Sequence, residues 1–470
     1  MILCATSVHT KPAHRLDSVD DVRVLLVSTY ELGHQPVHVA SPAGALRRDG
    51  HEVAALDLSV QPWNPDLVDW ADAVGFSVPM HTAMRLALAA AWAVRRDHPG
   101  RPVCFYGLYA AVGAETTLRQ VADRVISGEY EAPLRAWVDE VAAGRRSEGA
   151  SVHLGRSNFG LPARDLLPPL ERYAHLAIDG DERLVGCVEA SHGCASRCRH
   201  CPVPTVYDGR IRVVGPDAVL ADVAQLVAAG ARHLTFADPD FLNGVHHSLR
   251  VVRAIHDRFP ELTFDCTTKV ELILRHRGIW SEMADAGCLF VVSALESVND
   301  AILERLDKGH TTADATQAIA VLRAAGIEVR PSFLPFTPWT TAGDLVDLVD
   351  FVAAQDLVAN VDPVQYTIRL LLPEGSLLLD HPDMAAHLGA FDSERLSYSW
   401  SAADPATDEL QARLSERVEF GLAAGEAPGR LYLDISRMVR RAAGHQVEAP
   451  GLIAVGSTEA RPRLTEPWFC

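Results

Sequence analysis

The sequence predicts an α/β protein in which an open parallel-sheet domain is followed by a longer run of β/α units and a C-terminal extension. Three observations predict it. From Leu184 onward, short apolar stretches alternate with amphipathic helices, the pattern of parallel strands joined by helical crossovers. A similar alternation occupies residues 22–130. Between the two, Leu161-Pro162-Ala163-Arg164-Asp165-Leu166-Leu167-Pro168-Pro169-Leu170 mixes prolines with apolar anchors, as a packed interdomain linker does. The expected division is 1–150 for the first domain, 151–183 for the linker, 184–376 for the β/α run and 377–470 for the extension.

In the first unit, strands are expected at 24–28, 53–56, 73–77, 103–106 and 124–127. In the second they are expected at 184–189, 233–237, 262–265, 288–294, 327–333 and 364–368. The helix after the first of these shows the punctuation: Pro216 suits a first turn, Val219, Leu220, Val223, Leu226 and Val227 form one apolar face, and Gly230 ends it. Gly287 and Gly326 end later helices in the same way. After Leu377 the alternation fades, and residues 425–470, rich in Gly, Pro and Arg, are expected to wrap or lid the preceding unit.

A chain of 470 residues has length for two or three domains with large cores. A formal charge of -18 argues against a nucleic-acid or membrane-surface role resting on bulk electrostatics. Cys4, Cys104, Cys187, Cys266, Cys288 and Cys470 are scattered without a pairing pattern, and Met1-Ile2-Leu3 opens no signal peptide. The expected compartment is therefore reducing and cytoplasmic. The Ala-rich stretch 86–94 is too short for a membrane span and is bounded by Arg85, Arg95 and Arg96.

Chemistry concentrates in Ser191-His192-Gly193-Cys194-Ala195-Ser196-Arg197-Cys198-Arg199-His200-Cys201-Pro202. Core packing does not explain three thiols this close, and an odd number of ligands suits a cluster with one iron left open. The alternatives are a disulfide, or a zinc site with His192 or His200 as fourth ligand. Zinc sites usually pair Cys-x2-Cys with a second pair downstream, and none follows.

The spacing Cys-x3-Cys-x2-Cys resembles the radical S-adenosylmethionine (SAM) superfamily. That resemblance implies a 4Fe-4S cluster on Cys194, Cys198 and Cys201 with SAM on the fourth iron, whereas four-thiolate clusters leave no iron open. It also implies a partial (β/α)6 barrel of TIM type, with the site built by loops at the carboxyl ends of strands. Residues carried over as cofactor-binding are His200, in place of the usual aromatic ring; Asp238 and Asp240, where the family often has Gly-Gly-Glu; and Ser293 and Glu296, in the segment that meets ribose and carboxylate. Arg330 and Gln365, on or after the fifth and sixth expected strands, are candidates as well, a buried ion pair being the competing role for Arg330. Lys269, Glu271 and Lys308 lie near loop positions that the sequence does not aim. An electron donor such as flavodoxin or ferredoxin and a small-molecule substrate are the implied partners.

The first unit is similar to the Rossmann-like cobalamin-binding domain that precedes many radical SAM barrels. It lacks the Asp-x-His-x-x-Gly signature of that domain. Tyr30-Glu31-Leu32-Gly33-His34-Gln35-Pro36-Val37-His38 stands in its place, which leaves cobalamin open and makes His34 and His38 its candidate contacts.

The chain stops at Glu466-Pro467-Trp468-Phe469-Cys470. This end resembles radical SAM proteins whose tail reads Cys-Cys-Ala-Glu-Pro or Cys-selenocysteine-Ala-Glu-Pro. Cys470 is then a catalytic thiol at the start of an interrupted tail, and a UGA codon after it in the gene is the expectation. The tailed group resembles enzymes of arsenic natural-product assembly, so the transferase reaction expected is transfer of the 3-amino-3-carboxypropyl group of SAM to trivalent arsenic. Cobalamin-dependent methylation is the enzymatic alternative. A non-enzymatic iron-sulfur sensor or electron-transfer protein is the other.

Overall fold

A computed structural model describes residues 21–157, 159–446 and 461–465. The expected catalytic Cys470 lies outside these residues. The N-terminal sheet holds six strands, β1 (Arg23–Ser28), β2 (Glu52–Asp57), β3 (Ala73–Ser77), β4 (Val103–Tyr106), β5 (Arg124–Gly128) and β6 (Gly149–His153), in the order β2-β1-β3-β4-β5-β6. All pairs are parallel. Unbroken apolar strands are what this requires, because helices cover both faces. Val24 to Val27 and Val103 to Tyr106 are fully buried accordingly, between two separate apolar clusters.

β6 was not expected. It is a half-exposed edge strand with alternating burial, so it lacks the continuous apolar run that marks the other five. It also carries the first sheet past residue 150, into the stretch read as linker.

The direction in which successive strands are added reverses between β1 and β3, since β2 lies on one side of β1 and β3 on the other. In open parallel sheets the crevice at such a switch point, beyond the carboxyl ends of the strands, receives ligands. The loop after β1 leaves through left-handed residues Leu32 (φ 52°) and Gly33 (φ 72°), which turn its following residues toward the second domain.

The second sheet contains β7 (His175–Ile178), β8 (Asp181–Val188), β11 (His233–Phe236), β12 (Thr263–Thr267), β13 (Cys288–Glu296), β14 (Glu328–Phe333) and β17 (Arg463–Leu464), in the order β14-β13-β12-β11-β8-β7-β17. Five strands, β8 through β14, are parallel and curl into a half-barrel. β7 folds back antiparallel on β8, and β17 pairs antiparallel with β7. A two-stranded ribbon, β9 (Ser191–Gly193) with β10 (Ile211–Val213), brackets the cysteine loop.

The sixth barrel strand expected at 364–368 does not form. Pro363–Tyr366 is a 3-10 turn, and the one ladder contact there is an isolated parallel bridge between Phe336 and Arg369. Side chains occupy the β14 edge instead: Gln365 Oε1 accepts from Phe333 N at 2.9 Å, and Asn360 Nδ2 donates to the Val329 carbonyl at 2.8 Å. An amide side chain satisfies an edge group as well as a strand would, and Pro363 favours the turn.

In the C-terminal extension, helices Pro405–Ala423 and Pro428–Ala442 pack Leu410, Leu414, Val418, Tyr432, Ile435 and Val439 into the same core as the barrel helices. The Tyr432 hydroxyl donates to the Val349 carbonyl at 2.8 Å. These helices wrap the outer wall, and β15 (Leu388–Asp392) pairs with β16 (Ser397–Trp400) in a hairpin of its own. No helix among the described residues is long and apolar enough to cross a membrane.

Candidate functional site

The three cysteines stand on the loop between β9 and β10, past the carboxyl end of β8. Gly193 opens it at φ 76°, and a Cβ there would meet the Arg210 carbonyl at 2.3 Å, so only glycine lets the two ribbon strands approach this closely. Cys194 and Cys198 are buried and Cys201 nearly so, all three as free thiols. Ser196 N donates to Cys194 Sγ at 3.4 Å, and Asn243 Oδ1 accepts from Ala195 N at 3.1 Å. Burial, with the neighbouring Cys198 and Cys194, pushes the Cys201 thiol up to about 12. Binding iron there must therefore displace protons.

The donors fit a cluster. Three thiols share one loop, the soft donor set of an iron-sulfur cluster, and among the described residues no group of three or more His, Cys, Asp or Glu side chains, these cysteines included, is drawn together as a single-ion site. His192 is unavailable as a zinc ligand, because Glu129 takes its Nδ1 at 3.0 Å and Glu189 its Nε2 at 3.2 Å. Arg197 and Arg199 are structural: the first pairs with Asp208, and the second caps the helix Asp300–Leu306 by donating to the Glu304 and Arg305 carbonyls.

Glu296 and Lys308, whose aim was not legible, meet beside this loop. Glu296 sits at φ 62°, where the β13–β14 register shifts, and the turn directs its carboxylate inward. Its Oε1 receives Lys308 Nζ at 3.2 Å and His200 Nε2 at 3.1 Å. Burial opposes ionisation, yet Lys308 and His200 outweigh it and hold the Glu296 carboxyl down to about 2. Lys308 is itself buried, and its charge interacts with Cys198 and Cys201, so a cation faces two of the three thiols. His200 Nδ1 has no partner among the described residues.

Asp238 and Asp240 are both engaged by backbone N–H groups and a side-chain hydroxyl. Asp238 accepts from Ala190 N at 2.9 Å and Ser191 Oγ at 2.5 Å, tying β11 to the start of the cysteine ribbon. Asp240 accepts from Leu242 N, Thr268 Oγ1 and Lys269 N. Ser293 Oγ donates to the Thr268 carbonyl at 2.9 Å. Arg330 forms an ion pair with Asp362 at 2.9 Å, and Gln365 caps β14. Arg330, Gln365 and Ser293 thus hold the barrel together at these contacts.

Burial raises the Asp238 carboxyl to about 7, partly offset by the Ser191 and Ala190 hydrogen bonds. The unfolded carboxyl releases its proton near pH 4, so between about pH 4 and pH 7 the folded chain holds more protons. Stability from this group therefore falls as pH rises through that window, by on the order of 4 kcal/mol at most. Asp238→Asn should flatten that slope in urea midpoints measured from pH 5 to pH 8; an unchanged slope would discard the assignment.

A cavity of about 280 Å³ lies between the crevice of the first sheet and the mouth of the half-barrel. Glu31, Leu32, His34 and His38 line it from the loop and helix after β1, Pro79 and Met80 from the end of β3, and Cys187, Glu189, His192, Thr235, Asp238 and Asp265 from the barrel. A row of acids and imidazoles crosses the seam. Glu31 Oε2 meets His38 Nδ1 at 3.1 Å, His38 Nε2 meets Glu189 Oε1 at 3.2 Å, and Glu189 Oε2 continues to His192. Glu129 Oε1 then takes His192 and the Tyr207 hydroxyl, each at 3.0 Å. Burial works against charge on His38, but Glu189 and Glu31 raise it to about 10. His34, by contrast, is lowered to about 4 by burial, and is neutral.

Glu31 Oε1 and Ser127 Oγ, at the ends of β1 and β5, are buried without a partner among the described residues. Orphaned acceptors and hydroxyls at strand ends fit a ligand carrying amide groups, as the corrin of cobalamin does. Glu189 was missed in the sequence, though an acid directly after a strand and three residues before His192 was a readable signal.

Comparison with known proteins agrees with this layout. The model of the radical SAM superfamily matches residues 188–352, and that of the B12 binding domain matches residues 23–138. An uncharacterized methyltransferase of Pyrococcus horikoshii is 23% identical over 57% of this chain and 60% of its own length. The hopanoid C-3 methylase of Methylococcus capsulatus is 23% identical over 65% of this chain and 62% of its own. The chain thus spans about three-fifths of these relatives. Among solved structures, the cobalamin-dependent SAM radical enzyme OxsB with aqua-cobalamin has a TM-score of 0.67 at 14% identity, covering 86% of this chain and 68% of that one. The methyltransferase TsrM of Kitasatospora setae, with tryptophan and a SAM analog, has a TM-score of 0.61 at 19% identity, covering 76% and 75%.

Proposed function

The chain is a radical SAM protein with an N-terminal B12-binding domain, and from that premise we propose that it is a cobalamin-dependent transferase that moves a SAM-derived methyl group to a small molecule. The cavity carries the reading, because the strand ends of the cobalamin-type sheet and the mouth of the SAM barrel open onto one shared volume. The names of the relatives, methyltransferase and methylase, support it too.

When bound, the cluster supplies the electron that cleaves SAM, and cobalamin carries the methyl group. The chain supplies position and polarity. Cys194, Cys198 and Cys201 would hold three irons, and Lys308 sets a positive charge beside two of these thiols, partly balanced by Glu296. Leu32, Met80, Leu108, Phe236 and Val292 keep water from the acceptor, while His34 and Asp265 offer it polar contacts. A donor such as flavodoxin or ferredoxin would provide the electron.

A second reading, transfer of the aminocarboxypropyl group to trivalent arsenic, is favoured by the likeness of Phe469-Cys470 to the tailed group and by the missing Asp-x-His-x-x-Gly signature. One experiment separates the readings. Protein reconstituted with iron, sulfide and hydroxocobalamin is incubated anaerobically with SAM, dithionite and arsenite. S-adenosylhomocysteine with 5'-deoxyadenosine is the expected pair, and methylthioadenosine would transfer the reaction to the arsenic reading. A bound cluster with no SAM cleavage would leave only an iron-sulfur sensor or electron carrier. A UAA or UAG codon after Cys470 in the gene would remove the tail from the second reading.

A further inference from the structure

The row of acids and imidazoles at the seam passes between the domains at His38–Glu189, His192–Glu129 and Glu129–Tyr207. Glu31, His38 and Glu129 come from the N-terminal sheet; Glu189, His192 and Tyr207 come from the barrel. All are buried or nearly so. His38 has a carboxylate at each ring nitrogen, at 3.1 and 3.2 Å, so each nitrogen must donate. An imidazole ligates a metal through a free lone pair. His38 has none while it holds both acids.

Glu189 is the centre of the row. It directly follows β8, and its second oxygen holds His192, two residues before Cys194. One carboxylate therefore ties the loop that carries the cysteines to the helix that borders the cobalamin-type crevice. We infer that Glu189, clamped by His38 and His192, is a positioning residue that sets the separation between the cluster loop and the crevice of the first sheet, and that His38 is its clamp and not a cobalt ligand. The part concerning cobalt rests on the proposed function; the clamp does not.

The test uses the full chain as wild type, His38→Ala and Glu189→Gln, loaded with cluster and cob(II)alamin. In electron paramagnetic resonance, wild type and His38→Ala should give the same nitrogen superhyperfine pattern. Glu189→Gln should retain both cofactors, while the distribution of cluster-to-cobalt distances broadens about twofold. In hydrogen exchange on the cofactor-free chain, amides in 31–38 and 189–194 should speed together about tenfold in Glu189→Gln, with β1 unchanged. Loss of the superhyperfine pattern in His38→Ala overturns the clamp as the role of His38. An unaltered distance distribution or unaltered exchange in Glu189→Gln overturns Glu189 as the positioning residue. If wild type binds no cobalamin, the proposed function and the cobalt clause fall, and exchange alone decides the clamp.

Discussion

Cys198→Ser is expected to leave the chain folded and to abolish reductive cleavage of SAM, by roughly a thousandfold or more, because it removes an iron ligand and not one hydrogen bond among several. Cys198 is buried, and the positive charge of Lys308 acts on it directly. A serine oxygen there is a hard, protonated donor facing soft iron-sulfide chemistry. Iron and sulfide content after anaerobic reconstitution, with 5'-deoxyadenosine yield, measures the effect. Cys288→Ala is the control: Cys288 lies in the barrel core, and its loss should cost stability without altering iron content. A Cys198→Ser protein with full iron and wild-type cleavage would remove the cluster assignment.

The second large effect is on stability. Arg164, in the linker, is buried against the barrel helix residue Asp222, donating Nε to Oδ1 at 3.0 Å and Nη2 to Oδ2 at 2.7 Å. It also reaches the Gln35 side chain of the first domain and the Cys187 carbonyl on β8. Burial disfavours its charge, but Asp222 more than compensates and raises it. Arg164→Met should cost about 3–5 kcal/mol, because Asp222 is left buried without its partner. Adding Asp222→Leu should recover most of that, since replacing both members of a buried pair by apolar side chains is often neutral. The first transition in urea, where the domains part, is the quantity to follow. A single variant within 1 kcal/mol of wild type would show that water reaches Asp222.

Periodicity made the strands legible wherever the sheet is covered on both faces. Residues 73–77 and 103–106 match β3 and β4 end for end, since a run of buried apolar residues has no other use in a parallel sheet. It failed at the edges. β6 alternates because one face is wet, and 364–368 reads as a strand although Gln365 replaces ladder bonds with a side-chain bond. Edge positions are decided by what lies beside them, which local sequence does not encode.

The site divides along the same line. The motif of Cys194, Cys198 and Cys201 was readable because its three thiols lie on one loop and are close in sequence. Glu189 was not, and Lys308 and His38 could be named but not aimed, because each meets a partner between 12 and 151 residues away. Glu296 shows both halves: its place after the fourth barrel strand was visible, yet its left-handed backbone and its contacts with Lys308 and His200 arise where the register shifts against β14.

By itself the sequence determined the order of the two α/β units, the cysteine loop and the likeness to radical SAM proteins, since hydrophobic period and cysteine spacing are local properties. Only the tertiary structure decided that the half-barrel ends after five parallel strands, that the two domains share one cavity, and that a row of acids and histidines joins them. Those features depend on contacts between residues far apart in the chain, where burial turns a charge that would be inert on the surface into one that must find a partner.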